Sequence, residues 1–181
     1  WKEQFLSNNP ELPLYEVDAH NCIPVWELSQ KQEFAAHTIR RKVHDKLPSF
    51  LVDFGKLVKH TANADLLTAI PEISWIEVSN LIICDESVKG TGGFVPGSEA
   101  GTKLLKEFLT TKLATYDTSR NDINIDGQSN LSPYIAHGNI SRRRIILELL
   151  KHVKVDITDA FDSDQNGSNG KMGSIAAFIE E

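Results

Sequence analysis

The sequence holds little that would tie it to a membrane, a metal or an unspecific grip on nucleic acid. No apolar run approaches the roughly 18 residues that a membrane-spanning helix needs. Leu81-Ile-Ile-Cys84 is of core or strand size. Cysteine is scarce: Cys22 and Cys84 lie in apolar company without CxxC spacing. Both are expected to be buried thiols, which suits a reducing compartment. With no signal peptide in view, the expectation is an intracellular protein that needs no membrane. The six histidines are scattered, and His37 and His44 stand too far apart on one helix to share a metal, so zinc is not expected. A basic surplus is missing too. The net charge is −6, so any DNA contact must use a local basic patch. Lys89-Gly-Thr-Gly-Gly-Phe-Val-Pro-Gly97 lacks the GK[ST] ending of a phosphate loop and reads as a linker. No nucleophile elbow is present.

What is present points to a globular chain rich in helix. Hydrophobic residues make up 40% and charged residues 24%, enough apolar material for a core. Residues 12–19 read as a short strand opened by Pro13, and 20–26 as its irregular continuation. From 31 to 47 the apolar residues Phe34, Ala35, Ile39, Val43 and Leu47 recur at helical steps, and Pro48 is expected to end the helix or start a new turn. Residues 53–100 are less periodic. One helical turn is expected at 65–70, and 75–78 and 81–84 read as extended. The clearest helix covers 99–116, with Leu104, Leu105, Phe108, Leu109 and Leu113 on one stripe. A short helix follows, with Ser132 as N-cap, Pro133 at its first position and Gly138 as its stop. Ser141 caps the next, whose apolar face is Ile145, Ile146, Leu149, Leu150 and Val153. Residues 159–173 read as a mobile polar insert. Both ends read as cut: 2–6 is helical at once, and a helix capped by Ser174 stops without any terminating signal. The chain is therefore expected to be an internal piece of something longer.

Three clusters could carry chemistry. In Asp126-Gly-Gln-Ser-Asn-Leu-Ser-Pro-Tyr134 a serine-rich turn enters a helix N-terminus. Its unpaired N–H groups suit either plain capping or an anion such as phosphate. Arg142, Arg143 and Arg144 occupy a first helical turn, where the helix dipole disfavours each cation by about 0.3–1 kcal/mol when exposed. They form either a solvated basic face or a contact to DNA phosphates. Arg40-Arg-Lys42 is a similar patch, expected to pair in part with nearby acid. Asp162-Ser-Asp-Gln-Asn-Gly167 opens like a calcium loop, but Asn169 and Gly173 stand where an apolar residue and a glutamate are needed.

Several blocks together resemble the class II DNA photolyases. Tyr15-Glu-Val-Asp-Ala-His-Asn-Cys-Ile-Pro-Val-Trp26 is similar to the strand and turn that close their antenna domain. Lys31-Gln-Glu-Phe-Ala-Ala-His-Thr-Ile-Arg40 resembles their next helix. Pro96-Gly, Leu105, Phe108-Leu, Leu113, Tyr116, Arg120-Asn-Asp122 and Ser129-Asn-Leu-Ser-Pro-Tyr134 follow in the order and spacing of their flavin-binding domain. Ile123 and Ala136-His137 depart from the family's usual residues. The resemblance implies a mainly α chain. Residues 1–30 would be the tail of an α/β, Rossmann-like antenna domain, 31–98 a connecting helix and linker, and 99–181 the first part of an all-helical FAD-binding domain. It also implies light-dependent repair of cyclobutane pyrimidine dimers in UV-damaged DNA, by a monomer that uses reduced FAD. Tyr116, Gln128, Ser129, Asn130, Leu131 and Ser132 would hold the flavin, Glu181 would hydrogen-bond the dimer, and Arg142, Arg143 and Arg144 would face DNA. A cryptochrome-like FAD photoreceptor without repair, or an inert helical module, are the alternatives.

Overall fold

A computed structural model describes residues 1–56, 58, 71–85, 87–90, 92–165 and 171–181, the side chains of 162–165 and 171 excepted. Among them all regular structure is helical, as the mainly α expectation requires. The helices are α1 (Lys2–Asn8), α2 (Val25–Leu28), α3 (Ala36–Phe50), α4 (Trp75–Leu81), α5 (Ser98–Thr111), α6 (Tyr116–Ser119), α7 (Ser132–Ala136), α8 (Arg142–Val153), α9 (Ile157–Gln165) and α10 (Lys171–Glu180). The chain divides into two compact units, one made of 1–53 with 96–181 and the other of 54–95.

In the first unit the core is built where helical spacing aligns apolar residues. Gly97 turns into α5 at φ +106, a left-handed value that favours glycine. Leu105, Phe108 and Leu109 then fall on one buried face. The helix expected over 99–116 stops at Thr111. A 3-10 turn, Leu113–Thr115, tightens the step so that Leu113 and Tyr116, three residues apart, are both buried. Gly101 lets α7 approach α5: a Cβ there would stand 3.0 Å from the Tyr134 ring. In α8 the Ser141 hydroxyl accepts from the Arg144 N–H at 3.2 Å, the cap the sequence announces, and Ile145 and Leu149 are buried. Gly138 ends α7 at φ +68.

Several expectations are corrected. No strand forms at 12–19, since among the described residues no second strand offers a ladder to pair with. The chain turns instead about Asp18, whose carboxylate accepts from the N–H groups of His20 and Asn21 (both 3.0 Å) and Val25 (3.2 Å), and from Asn21 Nδ2 (2.9 Å). These bonds, the Asn21 amide first, draw its pKa down to about 2. The turn seats Ile23 in a second apolar cluster with Leu47, Ile157 and Phe161. Helix α3 starts five residues later than expected and runs through Pro48. Proline in a last turn removes one hydrogen bond, while the Leu51 N–H still reaches the Leu47 carbonyl at 3.0 Å. The supposed insert at 159–173 is helical over its first part, because Ile157, Ala160 and Phe161 form a buried i, i+3, i+4 face. Of its calcium-like stretch, 162–165 continue this helix, and 166 and 167 lie outside the described residues. Ser174 caps no helix of its own. It sits inside α10, fully buried, and its hydroxyl meets the Asp117 N–H (3.2 Å) and carboxylate (2.8 Å), tying down the start of α6.

The second unit contains α4, expected to be extended. Ser74 caps it, accepting from the Glu77 N–H at 3.4 Å. Trp75, Ile76, Leu81, Ile82 and Ile83 are exposed, and so is Cys84, contrary to the buried thiol expected. Cys22 is partly buried, which raises its thiol pKa. The turn expected at 65–70 lies outside the described residues.

Candidate functional site

The ends of α6 and α10 bring together two residues singled out in the sequence. Tyr116 opens α6 with 1% of its surface exposed. Its ring meets Phe108 and Phe178 edge-on, at 5.3 and 5.4 Å between centroids. Its hydroxyl donates to Glu181 Oε2. Burial, and then the Glu181 carboxylate, push the phenol pKa well above its ordinary value. The other Glu181 oxygen receives Arg120 Nη1 at 2.7 Å. Arg120 is the residue that sequence reasoning quoted but gave no role. It lies four residues after Tyr116, one helical turn on, and its guanidinium carbon stands 5.9 Å from the Tyr116 ring centre. The buried Arg120 Nε has no hydrogen-bond partner. Glu181, about half exposed, therefore presents a carboxylate that two donors orient and solvent still reaches.

The 126–132 turn abuts this group. Gln128 Nε2 donates to the Arg120 carbonyl, so the turn and the Glu181 partner share one anchor. Gly127 is pressed against Ser119, where a Cβ would come within 2.7 Å of the backbone oxygen. Lys112 pairs with Asp126 at 2.8 Å, which holds that carboxyl below its usual range. Asn130 adopts φ +56, a left-handed value that asparagine tolerates. Leu131, 1% exposed, sends its side chain into the core. Its N–H reaches the Ser129 hydroxyl at 3.5 Å. The expected Ser132 cap is corrected: the helix boundary falls at Leu131, no side chain caps it, and Ser132 lies exposed in the first turn. Gln128, Asn130 and Ser132 are open to solvent, while Tyr116 and Leu131 are not.

The arginines at the start of α8 are engaged within the chain. Arg142 Nη1 donates to the His20 carbonyl at 2.6 Å, which fastens the Asp18 turn to this helix. Arg144 lies 3.6 Å from both Glu148 and Asp53. Arg143 is half-buried. In the other basic patch Lys42 pairs with Glu33 (2.5 Å) and Arg40 with Glu180 (2.6 Å), as expected of cations near acid. Among the described residues no three His, Cys, Asp or Glu side chains cluster as metal ligands, and no helix is long and apolar enough to cross a membrane.

No protein-family profile matches the chain. Individual relatives do. It is 39% identical over 142 residues to the deoxyribodipyrimidine photo-lyase of Potorous tridactylus, covering 78% of this chain and 26% of that protein. The enzyme of the same name from Arabidopsis thaliana is 35% identical, over 77% of this chain and 29% of its own length. That of Oryza sativa subsp. japonica is 33% identical, over 84% and 31%. The chain thus spans between a quarter and a third of the curated relatives it matches.

Proposed function

We propose that this chain, which belongs by sequence with the deoxyribodipyrimidine photo-lyases, is the part of a DNA repair enzyme that begins the flavin pocket and supplies a carboxylate to the damaged bases. The reaction is light-dependent reversal of cyclobutane pyrimidine dimers. The observation that carries this reading is the identity to three proteins of that name. The meeting of Tyr116 with Glu181, 65 residues apart in sequence, supports the site.

The 126–132 turn fits the diphosphate of FAD. It offers Gln128, Asn130 and Ser132 to solvent at a helix mouth with no side-chain cap, and Lys112 holds the adjoining acid, Asp126. Ser129 and Ser132 supply hydroxyls, and Leu131 pins the turn to the core. Tyr116 serves by orienting Glu181, since its hydroxyl is already committed there. When bound and reduced, FAD supplies the light-driven electron that splits the dimer. Flipping the lesion out of the duplex brings it to the pocket. There Glu181, held by Tyr116 and Arg120, hydrogen-bonds the pyrimidine rings. Arg142, Arg143 and Arg144 would meet the phosphate backbone only by exchanging the contacts they make within the chain. Within the longer protein, residues 1–30 belong to the end of an antenna domain, 31–98 to the connection and 99–181 to the FAD-binding domain. The enzyme works inside the cell as a monomer.

Blue-light reversal of thymine dimers by the intact protein is the test. Turnover in light and none in darkness is expected. Tight binding of damaged DNA without reversal in light overturns the reading in favour of a photoreceptor. Ser132→Asp, which sets a negative charge at the helix mouth, is expected to release flavin absorbance on dialysis.

A further inference from the structure

We infer that Arg40 and His44 on α3 are positioning residues for Glu181, acting through Glu180, an inference that rests on the reading of Glu181 as the carboxylate that meets the dimer. The two glutamates are consecutive, and different helices hold them. Glu180 divides its oxygens: Oε1 lies 2.6 Å from His44 Nε2 and Oε2 lies 2.6 Å from Arg40 Nε. Glu181 gives its oxygens to Arg120 and Tyr116. The single peptide between them is thereby fixed from two directions, and the end of α10 cannot turn about its axis without breaking one set of contacts.

Surface ion pairs usually hold little, but this latch is not a solvated pair. The side chains of His44 and Glu180 are each only 18% exposed, so although Arg40 is 53% exposed the carboxylate and its imidazole partner are shielded. The imidazole is stacked on Phe161 at 3.9 Å and 10°, and Phe161 belongs to the second buried cluster with Leu47 of α3. Packing thus sets the ring before it meets the carboxylate. The latch also stands where α10 has least of its own. Its last turn carries no basic residue to answer the helix dipole, so its end depends on partners from elsewhere. The proposal therefore gives α3, which lies in the connecting part of the chain, a share in aiming the carboxylate.

The experiment compares Glu180→Gln, Glu181→Gln and the double variant in the intact, flavin-loaded protein, by the yield of dimer splitting per absorbed photon. Glu180→Gln is expected to lower the yield roughly three- to tenfold, less than the ~100-fold that follows a full misplacement of a reacting group. In the Glu181→Gln background the same change is expected to add almost nothing. A loss that persists there, or no loss in the parent, overturns the inference. A second readout does not depend on photochemistry. The fall in Tm caused by Tyr116→Phe is expected to shrink by about half or more when Glu180 is already glutamine, as for coupled sites. An undiminished fall also overturns it. Should Glu181→Gln by itself leave splitting intact, the repair reading fails on its own, and the melting comparison still decides the latch.

Discussion

Residues 96–181 and 54–95 carry similar local signals and use them differently. Both stretches hold an amphipathic or apolar run, and both contain a serine that caps a helix: Ser141 for α8 and Ser74 for α4. In α8 the apolar positions join one buried cluster with Leu105, Phe108, Tyr116 and Ile175, and Leu149 is fully buried. In α4 Leu81 remains 81% exposed and Trp75 71%. A cap settles where a helix starts, but only an apolar partner turns the helix into stability.

The sharpest way to test this contrast is a matched pair of truncations. Leu149→Ala is expected to cost about 2–5 kcal/mol through lost burial and a cavity. Leu81→Ala is expected to stay within about 0.5 kcal/mol, as exposed sites do. Equal losses in denaturant unfolding would break the comparison. Next in size is Gly127→Ala, whose methyl meets the Ser119 backbone and is expected to cost about 1–3 kcal/mol. The same change at Gly92 or Gly93, where an added Cβ meets nothing within 4 Å, is expected to be harmless. Ser174→Ala follows, at about 1–2 kcal/mol, because it leaves the half-buried Asp117 N–H and carboxylate without the hydroxyl. Melting curves of Leu149→Ala, Gly127→Ala and Ser174→Ala give the order.

The smallest effects are those of pH, and again they fall on the packed unit. Tyr116 has its pKa raised on folding, so the stability it contributes is complete below pH ~10 and is lost as pH rises towards the folded value. Tyr116→Phe is therefore expected to flatten the alkaline side of a Tm–pH curve. Asp18 shifts the other way. Its contribution is present above the ordinary carboxylate range and disappears as pH falls through about 2. Asp18→Asn should remove that acid dependence, read as proteolysis of the 18–25 turn.

Part of the site could be read from residues alone. The helix mouth after Ser129-Asn-Leu, the stripe of α5 and the Ser141 cap are local patterns, and the structure has the stripe and cap in place. The role of Arg120 was not legible. Its one signal is a spacing of four from Tyr116, which any helix pair shares. Nor does the sequence show that Ser174 serves α6, because the recipient lies 57 residues away. The Ser174 hydroxyl accepts a backbone N–H as a cap does, but that of Asp117 in α6 and not of its own helix.

The sequence by itself determined the mainly helical class, the kinship with photo-lyases and the apolar faces, because periodicity and capping act over a few residues and leave a mark in any short window. Tertiary structure alone decided that 12–19 forms no strand, that Ser174 serves α6, and that Glu180 and Glu181 are drawn to different helices. Each of those outcomes depends on a partner distant in the chain, or on its absence, and short-range order carries no record of which distant groups will meet.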